Sequence, residues 1–128
     1  MRFLLDTHTL LWWMTADERL SSMASSLIRK RENDPLVSAV SAWEIATKFR
    51  LGRLPAASDL VRNFTADLAA RRMAILPMSA EHGLQAGLLP GPHRDPFDRM
   101  LIAQALAEEV PILSNDKAFD GYGVRRLW

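Results

Sequence analysis

Short apolar runs alternate along the chain with longer segments whose apolar residues recur at helical spacing. Phe3-Leu4-Leu5 stops abruptly at Asp6, which reads as a strand ending where a helix begins. Residues 7–15 carry Leu10, Leu11, Trp12, Trp13 and Met14 around most of the circumference, so this helix has to be deeply buried or covered by a partner. Residues 21–31 form a second helix, with Met23, Leu27 and Ile28 at helical spacing. Asp34-Pro35 breaks it, and Leu36-Val37-Ser38 is a second short strand. Residues 39–51 predict a well-marked helix, closed by Gly52 in the position after the last turn, with Pro55 soon after. Leu60, Val61, Phe64 and Leu68 share one face of a helix over residues 58–72, capped by Ser58 or Asp59. A third strand is expected over residues 73–77, and Ser79, followed by Glu81 and His82, opens a short helix towards Leu89. After the loop Pro90-Gly91-Pro92-His93-Arg94-Asp95, a helix runs from Pro96 to residue 109 with Asp95 as its N-cap. Val110-Pro111-Ile112-Leu113 is a fourth strand, and residues 124–128 suit a fifth.

Strands that alternate with helices in this way predict an α/β fold, a parallel sheet of four to five strands with both faces covered. No repeat or linker divides the 128 residues, so one domain is expected. Sixteen Lys and Arg against fifteen Asp and Glu leave a net charge of +1, which is not the strongly basic balance of a protein that coats nucleic acid; phosphate binding has to come from a local patch. The absence of cysteine excludes disulfides and thiolate metal sites, leaving oxygen and imidazole as the available ligands. Asp6 interrupts the first apolar stretch and no small-residue cleavage site follows, which argues against a signal peptide. No apolar run approaches the length of a membrane span. A cytoplasmic protein is expected.

The chemistry rests on acids. Asp6 and Asp116 each follow an apolar strand, where either can cap the next turn, yet strand carboxyl ends are also where open α/β sheets bind ligands. Glu44 lies within a helix, four residues before Lys48. Steps of about 100° place Ala42, Ile45, Ala46 and Phe49 on the opposite arc, so periodicity favours an exposed pair with Lys48. Asp95 precedes Pro96 and suits a cap, whereas Asp98 shares a face with Leu101, Ile102 and Ala105. A carboxylate at the head of a buried stripe needs a cation beside it, because desolvating an unpaired charge costs several kcal/mol. Arg99 points about 100° away, so a metal ion is the better candidate. The three histidines, His8, His82 and His93, show no zinc spacing; His82 reads as a helix-surface residue and His93 as a loop residue. Trp12 and Trp13 suit core or interface packing better than stacking on bases.

Four motifs then stand in order: Leu4-Leu5-Asp6-Thr7-His8, Ser41-Ala42-Trp43-Glu44-Ile45, Asp95-Pro96-Phe97-Asp98-Arg99 leading into Leu101-Ile102-Ala103-Gln104-Ala105, and Leu113-Ser114-Asn115-Asp116. In these, over nearly its whole length, the sequence resembles PIN-domain ribonucleases of the VapC type, the toxin halves of bacterial toxin–antitoxin pairs. The resemblance implies a three-layer α/β/α domain over residues 1–128. It implies that Asp6, Glu44, Asp98 and Asp116 form a catalytic cluster holding Mg²⁺ or Mn²⁺, with Thr7 and Ser114 or Asn115 as auxiliary residues. It further implies an RNA substrate, a cognate antitoxin, and a homodimer or antitoxin contact through the apolar helix at residues 10–14. The chemistry agrees: clustered carboxylates need cations or shared protons, and hard cations accept oxygen ligands, activate water and bridge to phosphate. Lys48, Arg50, Arg94, Arg99 and Lys117 flank the motifs as candidate phosphate contacts.

Three other readings compete. Aspartyl phosphatases of the haloacid dehalogenase type place a second Asp two residues after the first, where this chain has His8. A response-regulator-like phosphoacceptor leaves Glu44 without a role. A non-catalytic binding module would use Trp12, Trp13 and Trp43 as its interface, and retention of all four acids argues against it.

Overall fold

A computed structural model describes residues 1–92 and 95–128. In chain order its elements are β1 (Arg2–Leu5), α1 (Thr7–Met14), α2 (Ser22–Arg29), β2 (Asp34–Ser38), α3 (Ala39–Arg50), α4 (Ser58–Ala70), β3 (Ala74–Leu76), α5 (Ala80–Leu88), α6 (Pro96–Glu108), β4 (Ile112–Leu113) and β5 (Arg126–Leu127). Short 3₁₀ turns at Pro55–Ala57 and Lys117–Tyr122 complete them. The five strands form one parallel sheet in the order β3-β2-β1-β4-β5, as the alternation of strands and helices predicts.

Side chains of a strand point alternately to the two faces of the sheet, and the core divides accordingly. Phe3, Leu5, Val37, Leu113 and Leu127 pack with Leu10 of α1, Ala24 and Ile28 of α2, Ile45 of α3, and Leu60 and Leu68 of α4. Leu4, Leu36 and Ile112 turn to the other face, against Leu101, Ile102 and Ala105 of α6 and Phe119. The result is a three-layer α/β/α arrangement, with α5 laid along α6. Among the described residues no helix is long and apolar enough to cross a membrane.

Three local expectations change. β2 begins at Asp34 and includes Pro35, rather than starting after a break there. Pro35 pairs only with Phe3, because the ladder to β3 starts one residue later at Leu36 and Ala74, so its missing N–H faces no partner strand. Neither Ser58 nor Asp59 caps α4 by its side chain: the 3₁₀ turn runs straight into the helix, and Ser58 is already helical at φ −52° and ψ −49°. His82 is not on a helix surface but buried. Its Nδ1 accepts the Ser79 N–H at 3.1 Å while Ser79 Oγ accepts the His82 N–H at 3.0 Å, a reciprocal cap that takes the place of the usual Glu or Gln.

Candidate active site

From β1 the chain steps outward through β2 and β3, then returns to the other side of β1 to lay down β4 and β5. Connections therefore diverge between the carboxyl ends of β1 and β4, which opens a crevice of the kind that binds ligands in α/β sheets. Asp6 is the first residue beyond β1 and is buried. Its Oδ1 accepts the Thr9 N–H at 2.7 Å, the helix-capping role its position predicts, and its Oδ2 accepts the hydroxyl hydrogen of Ser114, the residue after β4. Ser114 Oγ in turn accepts the Asp116 N–H at 3.0 Å. Asp116 is exposed and caps the 3₁₀ turn after it, with Oδ1 accepting the Ala118 N–H at 2.9 Å. Both acids are thus caps, and Ser114 joins them across the crevice. Asn115 is exposed.

Helix α3 enters the same region through Ser41, whose hydroxyl lies 3.0 Å from that of Thr7 at the start of α1. Glu44 follows Ser41 by three residues and so lies on the same side of the helix. It is 2% exposed, which corrects the expectation of a surface residue. The pair with Lys48 does form, Nζ to Oε2 at 2.5 Å, but from inside the protein. The facing inferred from apolar residues fails because the buried side of α3 holds Val40, Ser41, Glu44 and Ile45, while Ala46 is exposed. The other oxygen of Glu44, Oε1, is buried and has no hydrogen-bond partner among the described residues.

Asp95 caps α6, its Oδ1 accepting the Phe97 N–H at 2.9 Å. Asp98 is half-buried in the first turn, above the buried Leu101, Ile102 and Ala105. Phe97 beside it meets Trp43, the neighbour of Glu44, with ring centroids 4.9 Å apart, so the helices bearing Glu44 and Asp98 touch next to those acids. Of the candidate phosphate contacts, Arg50 and Lys117 are exposed, and Lys48 is engaged with Glu44. Arg99 donates to the carbonyls of Ala86 and Leu89, tying the end of α5 to α6. His93 and Arg94 lie outside the described residues. Trp12 is buried, 5.9 Å from Trp128 by ring centroids, and Trp13 is half-buried under Arg29; both are packing residues. His8 is exposed.

Burial pushes the Asp6 carboxyl above its ordinary range, against the hydrogen bonds from Ser114 and Thr9 and the proximity of His8. Among the described residues, no three Asp, Glu or His side chains converge closely enough to hold a metal ion. The donors still suit a hard cation, because Mg²⁺ commonly binds through one or two carboxylates and completes its shell with water and substrate phosphate. The unpartnered Glu44 Oε1 and the desolvated Asp6 are the two groups that a cation would relieve most.

Residues 3–124 match the family model of the PIN domain. The chain belongs to the PIN-domain family. Solved structures similar to this PIN domain include FitAcB from Neisseria gonorrhoeae, at 19% identity and a TM-score of 0.70 over 100% of this chain and 97% of that one. VapBC2 from Rickettsia felis, bound to a DNA fragment from its promoter, is similar at 15% identity and a TM-score of 0.66, covering 99% and 98%. A toxin–antitoxin complex from Klebsiella pneumoniae is similar at 14% and 0.63, covering 94% and 92%. Among curated proteins, no sequence matches the chain. At such identities the likeness is one of fold. Within this PIN domain, Ser41 and Gln104 stand in the sequence motifs with no role that the motifs themselves assign. Ser41 was visible in principle, three residues before Glu44. Gln104 is fully buried, accepting from Ser38 Oγ at 2.5 Å and donating to the Pro77 carbonyl at 3.2 Å, and nothing in its apolar helical context marks it.

Proposed function

We propose that this PIN-domain protein is a metal-dependent endoribonuclease that acts as a growth-inhibiting toxin and is neutralised by a cognate antitoxin. The observation that carries the reading is the Asp6–Ser114 contact at the switch point of the sheet, with the unpartnered buried oxygen of Glu44 in the neighbouring helix. Asp6, Glu44, Asp98 and Asp116 are the acids assigned to hold Mg²⁺ or Mn²⁺, with Asp6 and Glu44 as the buried pair. Such an ion supplies a water acidified enough to attack a phosphodiester and a positive charge for the phosphoryl oxygens.

The chain's own residues prepare that chemistry. Ser114 and Thr9 donate to Asp6 and favour its ionised form, the form that can ligate. Lys48 pairs with Oε2 of Glu44 and leaves Oε1 available. Asp116, which is exposed, and Asp98, which is half-buried, are the more open of the four acids, and they are assigned to meet a hydrated ion and a phosphate. The antitoxin is assigned to the groove beside α1, a cavity of about 690 Å³ lined by Leu11, Trp12, Met14, Leu54 and Leu60 with Arg19, Arg53 and Arg71 around it. That assignment answers the apolar character of α1, whose Leu11 and Met14 remain half-buried, and it is supported by likeness in fold to chains from toxin–antitoxin complexes.

Purified protein freed of any bound inhibitor should cleave RNA internally in Mg²⁺ or Mn²⁺ and lose that activity in chelator or as Asp6→Asn. Undiminished cleavage by folded Asp6→Asn protein would refute the mechanism. RNA binding without cleavage under any divalent ion would favour a non-catalytic module.

A further inference from the structure

Trp43 is the most exposed tryptophan of the described chain, with 55% of its surface open to water, yet it is not loose. Its ring contacts Phe97 at 4.9 Å with the ring planes 69° apart. The two rings sit on different helices, α3 and α6, and each directly adjoins an acid of the candidate site, Glu44 and Asp98. Exposing an indole costs apolar surface, and the core does not require it, since neither Trp43 nor Phe97 belongs to the apolar clusters that hold the sheet. An indole braced from one side and open on the other is a platform for a flat π-system. Arg50, about two helical turns further along α3, is exposed and can serve a backbone phosphate.

We propose that Trp43 is a positioning residue for substrate: it stacks on an unpaired nucleobase next to the phosphate to be cut, and Phe97 holds the indole in place. The inference rests on the endoribonuclease reading and extends it to single-stranded RNA, because a base must leave its helical stack to lie on an aromatic ring. Trp43 touches no reacting atom. It fixes the register of the strand over the acids, so its loss weakens binding and blurs the position of the cut.

The test measures equilibrium binding of a short single-stranded RNA in chelator, where no cleavage occurs, by fluorescence anisotropy. Trp43→Ala should weaken binding on the order of tenfold. Trp43→Phe should retain most of the affinity, and Trp43→Leu, which keeps bulk without a π face, should not. If the alanine variant fails to fold, the Phe and Leu variants decide. A set of RNAs with a single abasic position completes the cycle: one position should weaken binding to the wild type and have no further effect on Trp43→Leu.

Equal binding by wild type, Trp43→Ala and Trp43→Leu overturns the proposal while leaving endoribonuclease activity intact. Trp43 variants that bind RNA normally but lose self-association or antitoxin binding would likewise overturn it, by making the indole a protein contact. Stacking with no cleavage in any divalent ion would sustain the platform and refute the nuclease reading, so the two failures are distinct.

Discussion

Ser114 and Asp6, 108 positions apart in sequence, are joined by a hydrogen bond inside the crevice between β1 and β4, with the Ser114 hydroxyl donating to Asp6 Oδ2. The bond favours the ionised carboxylate that burial disfavours. Ser114→Ala should therefore push the Asp6 carboxyl further up and carry the acid limb of the RNA-cleavage profile to higher pH. A charged hydrogen bond of this kind predicts a loss on the order of tenfold near neutrality, recovered in part at alkaline pH. A pH profile with unchanged shape would refute the role given to Ser114.

The same carboxyl links stability to pH. Burial raises Asp6 above its unfolded value of 3.8, so between the two values the folded chain keeps a proton that the unfolded chain has released. Stability from this group is present below 3.8 and is lost as pH rises through the raised folded value. Asp6→Asn removes that slope. Its melting temperature should exceed that of the wild type at about pH 7.5 and differ little at about pH 4, measured by thermal melts in chelator. Adding Mg²⁺ should then raise the wild type and leave Asp6→Asn nearly unmoved.

Lys48 and Glu44 are unequal partners, with side chains 27% and 3% exposed. Lys48→Ala strands a buried carboxylate whose other oxygen already lacks a partner, and should cost about 2–3 kcal/mol in urea unfolding. Glu44→Gln leaves the lysine able to turn to water and should cost less. The reverse order of stabilities would show that Glu44 is not the desolvated member.

His82 is bound up with the packing of α5 on α6. Its Nδ1 closes the cap of α5, and Nε2 stands 3.6 Å from Glu108 Oε1 on α6. His82→Ala should lower stability by about 1–2 kcal/mol through loss of the cap, with RNA cleavage per folded molecule unchanged well below the melting temperature. A specific loss of cleavage without a shift in melting would place His82 in the site instead.

The legible part of the molecule is the part written in local pattern. Asp6, Ser114 and Asp116 stand where an apolar strand gives way to polar residues, and Asp95 stands before a proline that suits the first turn of a helix, so strand ends and caps declare themselves within a few positions. The apolar residues of α3 alone point Glu44 outward, and only the family resemblance brings it into the site; His82 reads as a helix-surface residue, yet both are buried. The buried side of α3 includes Ser41 and Glu44, which are tolerated there by Thr7, 34 positions away, and by Lys48. Gln104 depends on Ser38, 66 positions away, and on the Pro77 carbonyl.

By itself the sequence determined the alternation of strands and helices, the parallel sheet and the acids at the strand ends, because periodicity and capping act over three or four residues. Only the tertiary structure decided which strands are neighbours, that the chain connections diverge between β1 and β4, that Glu44 is buried with one oxygen unpartnered among the described residues, and that Trp43 meets Phe97. Those facts depend on how layers close over the sheet, and whether a polar side chain is buried is settled by the partners that closure brings to it.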